Sequence, residues 1–295
     1  MNTTNTQKNS AIPDNHLPWD IEITPPKFLS PLKWNEFFRY KNLLGLLVYR
    51  DFVVYYKQTI LGPLWWLLQP VITSGVFVIF FGFILKVPMD GGTPLMLFFL
   101  SGLTLWFYFS NSLNQIANLF ASNGSMFEKV YFPRLIIPIS QLLSNLMKLT
   151  LELIFLAIVY TVLCFQGAQV RPTWWLLLSP IIIFYLAVLA LGFGLLFNSL
   201  TYKYKDLSLT LPFIIQIGMF TSSVIHPVSA IPKEILYYLY FNPVIPAIEL
   251  FRFMLTGQGT IYPDQIVTGI VVTVVLLLLG IMSFSYTEKR FIDTI

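Results

Sequence analysis

The chain has 295 residues, of which 56% are hydrophobic and only 11% charged, with a net charge of +4 at pH 7. Soluble domains average roughly 45–50% apolar and 25% charged residues, so water is excluded as the main solvent of this chain. The positive charge would suit a nucleic-acid partner in a soluble protein, but here the basic residues sort by membrane side and that function is discounted.

Residues 1–30 are rich in Asn, Thr, Pro and Asp and contain no apolar run, which predicts a flexible cytoplasmic tail without a cleavable secretory signal. Residues 31–60 mix Trp34, Phe37, Phe38, Leu43, Leu44, Leu47 and Val48 with Lys33, Arg39, Lys41 and Arg50. That pattern predicts an amphipathic helix in the headgroup layer, apolar residues dipping into lipid and basic ones meeting its anionic surface. Anchoring alone would explain it; the functional alternative is a vestibule through which an amphiphilic substrate enters from the inner leaflet.

Residues 61–290 carry the membrane domain. A helix rises 1.5 Å per residue, so about 20 apolar residues cross a hydrocarbon layer roughly 30 Å thick. Six such windows occur: Leu64 to Leu85, Pro94 to Leu119, Leu135 to Phe165, Trp174 to Leu200, Leu207 to Ile225 and Ile266 to Tyr286. The expected fold class is therefore an all-α integral membrane protein with six transmembrane helices.

Several features along these spans invite a functional reading. Trp65 and Trp66 open the first span and fit an interfacial belt, whereas Trp106, Phe107, Tyr108 and Phe109 fall about a dozen residues into the second. Those inner rings could line a pathway, since sugar rings present C–H faces that slide over flat aromatics; core packing is the competing explanation. The loop 123–134 contains Ser125 with Glu128 three residues later, a capping box that starts a short helix, and Pro133 ends it. It displays Phe127, Lys129, Tyr131 and Phe132, which suit either a partner protein or the headgroups.

Lys148 and Glu152 are the ionisable pair inside the third span, and their i,i+4 spacing places them on one helix face that should meet protein or water. A structural polar contact is preferred to a proton relay, because the other spans offer no further titratable partner. Cys164, the only cysteine, excludes an internal disulfide. From 226 to 258 the chain is too apolar for a solvated loop and is interrupted by Asn242, Pro243, Pro246, Glu249 and Arg252. Two short helices broken at Asn242-Pro243 are expected there, either as a re-entrant pair in the outer leaflet or as an extracellular cap. Residues 291–295 form a cytoplasmic C-terminus.

Placing Lys and Arg on this map orients it. Thirteen of the eighteen fall on one side: Lys8, Lys27, Lys33, Arg39, Lys41, Arg50 and Lys57, then Lys129 and Arg134, then Lys203 and Lys205, and finally Lys289 and Arg290. Short cytoplasmic loops are enriched in these residues, so both termini are expected in the cytoplasm.

Other chemistries lack their residues. There is no GxxxxGK[ST] phosphate loop for ATP. His16 and His226 with one Cys cannot assemble a metal site of ordinary spacing, so no metal is expected. No Asp-x-Asp pair supports a metal-dependent glycosyltransferase.

The run Tyr49-Arg-Asp-Phe-Val-Val-Tyr-Tyr-Lys-Gln-Thr-Ile-Leu-Gly-Pro-Leu-Trp-Trp-Leu-Leu-Gln-Pro70 resembles the opening motif of permeases in ABC exporters of O-antigen, teichoic acid and capsule polysaccharides. The resemblance continues through Phe98-Phe-Leu-Ser-Gly-Leu with Trp106, Ser110 and Asn111, through Lys129-Val-Tyr-Phe-Pro-Arg134, and through Asn242-Pro with Glu249 and Arg252, covering the chain from about residue 40 onward. It implies a type-2 ABC exporter half, in a bacterial inner membrane, that pairs with a copy of itself and with two separate ATP-binding subunits. ATP and Mg would belong to those subunits, this chain carrying no cofactor and no catalytic residue. The segment 123–134 would be the coupling helix, with Ser125, Phe127, Glu128, Lys129, Tyr131 and Arg134 meeting the ATPase. Arg50, Asp51 and Lys57 would mark a gate helix where basic residues meet the phosphates of a polyprenyl-linked polysaccharide. Trp106, Tyr108 and Phe109 would line the channel, and Asn242, Pro243, Glu249 and Arg252 would shape a re-entrant outer mouth. The alternatives are an ABC exporter of a small lipid or drug, a membrane enzyme acting on polyprenyl-linked sugars and, resting only on Lys148 and Glu152, a proton-coupled carrier.

Overall fold

The computed structural model describes residues 39–57, 62, 64–86, 92–120, 133–168 and 170–293. The expectations for the tail 1–30 and for most of the segment 123–134 fall outside these residues. Among the described residues all regular structure is helical. We number the helices α1 (Lys41–Lys57), α2 (Leu64–Phe77, continued as a π-helical turn Val78–Ile84), α3 (Leu95–Ala117), α4 (Ile136–Phe165), α5 (Ser179–Lys203), α6 (Leu207–Thr221), α7 (Lys233–Leu239), α8 (Val244–Thr256) and α9 (Pro263–Asp293).

Among the described residues five helices are long and apolar enough to cross a membrane: Leu64–Ile84, Leu95–Ala117, Ile136–Phe165, Trp174–Lys203 and Pro263–Thr287. The sequence predicts a sixth over 207–225, and here the structure differs. Helix α6 has only 15 residues, about 22 Å of rise and short of the roughly 30 Å hydrocarbon layer. It stops because the next residues leave helical geometry. Ser222 Oγ donates to Gly218 O at 2.5 Å, and Ser223 takes the left-handed conformation with φ 58.

Helix α3 is the axle of the molecule. In its most apolar stretch 78% of residues are buried, against 11–28% for the other four long helices. It packs on α2, α4, α5, α6 and α8. Its composition explains this role. The buried small residues Ser101, Gly102, Thr104, Ser110 and Ser112 let neighbouring backbones approach. Ser101 Oγ returns its hydrogen bond to Phe98 O at 3.0 Å. A helix that faces protein rather than lipid can carry less hydrophobicity, and α3 is the least apolar of the five while α9, mostly uncovered by the rest of the chain, is the most apolar. Helices α5 and α9 cross most closely at Gly192, where a Cβ would lie 2.6 Å from Leu277 N.

Helix α1 does not lie free on a surface. Leu44, Leu47 and Asp51, spaced to share one helix face, turn toward α4; Leu47 is fully buried, and Leu46 and Tyr49 on the opposite side are exposed.

Candidate functional site

The C-terminal end of α3 is closed by its neighbours. At the C-terminus of α3 two side chains of α5 satisfy carbonyls that no longer have intrahelical partners. Asn198 Nδ2 donates to Ile116 O at 2.8 Å and Thr201 Oγ1 to Ala117 O at 3.0 Å. At the same level Asn145 of α4 donates to Gln115 Oε1 at 3.0 Å and Ser112 Oγ at 3.1 Å. Helix α4 is 30 residues long, about 45 Å, so it outruns the hydrocarbon layer. Lys148, three residues beyond Asn145, therefore lies within about 10 Å of the Ala117 end of α3. The sequence places Lys148 inside a span, and it falls within the apolar helix Ile136–Phe165, with the buried Glu152 one turn further along.

Between α1 and α4 opens a cavity of about 370 Å³. Arg50 and Asp51 of α1, Trp66 of α2, Gln115 of α3, and Gln141, Ser144 and Lys148 of α4 line it, with apolar contributions from Phe52, Val54 and Met147. Arg50 Nη2 pairs with Asp51 Oδ1 at 2.8 Å, and Ser144 Oγ donates to Asp51 Oδ2 at 3.3 Å. Lys148 Nζ rests 5.5 Å from the Trp66 ring centroid and lies within electrostatic reach of both Asp51 and Glu152. Phe52 and Trp66 form a tilted pair at 5.9 Å. Two acceptors, Gln141 Oε1 and Glu152 Oε2, are buried with no hydrogen-bond partner among the described residues. The arrangement combines donors, acceptors and flat apolar rings around one cavity.

Trp106, Tyr108 and Phe109 are packed inside the protein, each 3–4% exposed. Trp106 lies against Gly218 of α6 and 5.6 Å from the Phe109 ring. This placement matches the core alternative rather than an open lining.

The expected pair of short helices separated at Asn242-Pro243 is present as α7 and α8. Asn242 organises the break: its Oδ1 accepts from Val244 N at 3.0 Å, and its Nδ2 donates to Thr221 O at 3.1 Å and Ser222 Oγ at 3.0 Å. Pro243 O accepts from Tyr185 Oη at 2.8 Å. Glu249 and Arg252 form a buried ion pair at 3.0 Å. Arg252 Nη2 also donates to Ser223 O at 3.1 Å and Phe98 O at 3.4 Å, and its guanidinium lies 3.6 Å over the Phe98 ring. Ser223 Oγ donates to Glu249 Oε1. These residues are a pin holding α8 and the end of α6 against α3.

Ser125, Phe127, Glu128, Lys129 and Tyr131 lie outside the described residues, while Arg134 is in the turn that leads into α4. Lys57 is exposed at the end of α1. The sequence reading missed Ser144 as a partner of Asp51, and Trp66, Gln115 and Gln141 as residues that share the cavity with it. The signal available was the face of α4 on which 141, 144 and 148 recur with helical spacing.

The family model of the ABC-2 type transporter matches residues 42–256. The O-antigen export system permease protein RfbA of Klebsiella pneumoniae is 25% identical over 256 residues, which are 85% of this chain and 94% of that protein. RfbA of Myxococcus xanthus, carrying the same description, is 26% identical over 263 residues, 88% of this chain and 98% of its own. The polysialic acid transport protein KpsM of Escherichia coli is 25% identical over 250 residues, 79% of this chain and 89% of that protein.

Proposed function

Because the chain belongs to the ABC-2 type transporter family, we propose that it is the membrane-spanning subunit of an ATP-driven exporter that carries a lipid-linked polysaccharide across a bacterial inner membrane. The observation that carries this reading is the cavity between α1 and α4. It joins the polar residues Arg50 and Asp51 to an aromatic ring at the membrane side expected to face the cytoplasm, where a lipid-linked glycan is accessible. The relatives described as O-antigen and polysialic acid transporters supply the cargo class.

In this reading two copies of the chain flank one pathway and two ATP-binding subunits bind ATP and Mg. Their closure pushes on residues 123–134, with Glu128, Lys129, Tyr131 and Arg134 at the contact. The chain itself performs no covalent chemistry. Helix α6 supplies the sixth crossing together with the turn that extends it, which keeps both termini on the basic side. Helices α7 and α8 then form a re-entrant pair at the outer leaflet, closed by the Asn242 and Arg252 contacts. Lys57, outside the cavity lining, meets the phosphates of the carrier, while Asp51 pairs with Arg50 inside it.

Deleting the gene and comparing surface polysaccharide with cytoplasmic polyprenyl-linked glycan tests the proposal, with wild type and a Glu128→Ala variant as references. Loss outside with accumulation inside is expected. Loss without internal accumulation would point to a synthetic enzyme, and unchanged surface glycan would point to a small lipid or drug as cargo.

A further inference from the structure

We propose that the cavity between α1 and α4 is a carbohydrate subsite that holds a sugar ring of the exported glycan against Trp66, Asp51 and Gln141. The inference rests on the export reading and adds a ligand chemistry to the face of α4 that the sequence motifs do not include.

Hydrogen-bond polarity decides the ligand class. A phosphoryl group offers acceptors only, so a site built for it presents donors. The wall here also presents acceptors. Asp51 contributes a carboxylate, and Gln141 Oε1 is buried without a hydrogen-bond partner among the described residues. A sugar hydroxyl both donates and accepts, and it can satisfy Gln141 Oε1 while accepting from Lys148. Asp51 also pairs with Arg50 at 2.8 Å, so that guanidinium is already engaged within the cavity.

Shape agrees. Trp66 and Phe52, tilted at 5.9 Å, give an apolar edge to the cavity, and aromatic edges suit the C–H faces of a pyranose. A volume of about 370 Å³ falls within the roughly 300–1,000 Å³ of small-molecule clefts. At the membrane boundary the ring would be bound while its lipid anchor stays in the leaflet.

The test uses the full chain in phospholipid nanodiscs and saturation-transfer NMR with the methyl glycosides of glucose, galactose, mannose and N-acetylglucosamine. At least one glycoside is expected to show transfer, to lose affinity roughly tenfold in Gln141→Met, as for one hydrogen bond, and to resist competition by inorganic pyrophosphate. No Gln141-dependent signal from any of the four, or displacement by pyrophosphate, overturns the proposal. Trp66→Leu carries the same comparison if Gln141→Met does not give folded protein. In cells, Gln141→Met is expected to lower surface glycan and leave lipid-linked glycan inside. Full export by that variant sinks the subsite alone, whereas a deletion strain that accumulates no lipid-linked glycan sinks the export reading.

Discussion

Replacing Arg252 by Met tests the pin between α8 and α3. The substitution preserves much of the aliphatic stem but removes the ion pair to Glu249 at 3.0 Å, two hydrogen bonds to backbone carbonyls and the stacking over Phe98. Glu249, whose side chain is 5% exposed, keeps its bond from Ser223 but loses its counter-charge. Breaking a buried pair on one side costs about 3–5 kcal/mol, mostly because the remaining charge is uncompensated. Adding Glu249→Gln removes that charge, so the double variant should recover about 2 kcal/mol of the loss. SDS-titrated unfolding of the full chain in mixed micelles reads both values. If the two substitutions simply add, with no recovery, the pair is not what holds α8 and the reasoning fails.

The close crossing of α5 and α9 predicts that Gly192→Ala costs about 1–3 kcal/mol by forcing the helices apart. Gly75→Ala in α2, where a Cβ meets nothing within 4 Å, should be neutral or stabilising by up to about 1 kcal/mol in the same unfolding assay. Cys164 is exposed near the end of α4 opposite the cavity. A membrane-impermeant maleimide should label it in cells with only the outer membrane permeabilised, and labelling only after inner-membrane rupture would reverse the orientation drawn from the basic residues.

The extents of α3 and α4 could be read from the sequence to within two residues, because hydrophobic length is a local property. The break between α7 and α8 was likewise legible, since proline and the Asx geometry of Asn242 act on their neighbours. What escaped was tertiary. The apolar window 207–225 counts residues correctly but carries no sign that the Ser222–Ser223 turn is drawn into the Arg252 network. Ile136 and Ile137 look like lipid-facing residues in the sequence and are instead buried by protein, at 0% and 1% exposure. Partners such as Ser144 and Asp51, 93 residues apart, leave no mark in local pattern. The rings at 106–109 satisfied a channel and a core equally, as both ask only for apolar surface.

The hydrogen bonds from Asn145 to Gln115 and Ser112 give α3 and α4 a mechanical relation. These are the two helices that flank residues 121–132, so chain continuity sends any force applied there into both. The cross-link falls about 14 Å up α4 from its first residue, at Ile136, one residue beyond the Asp51–Ser144 contact. It works as a yoke, resisting shear between the two rods and passing a push upward as a common displacement. The first thing such a displacement would strain is the wall of the cavity, because Arg50 and Asp51 ride on α1 while Ser144 and Lys148 ride on the moving rod.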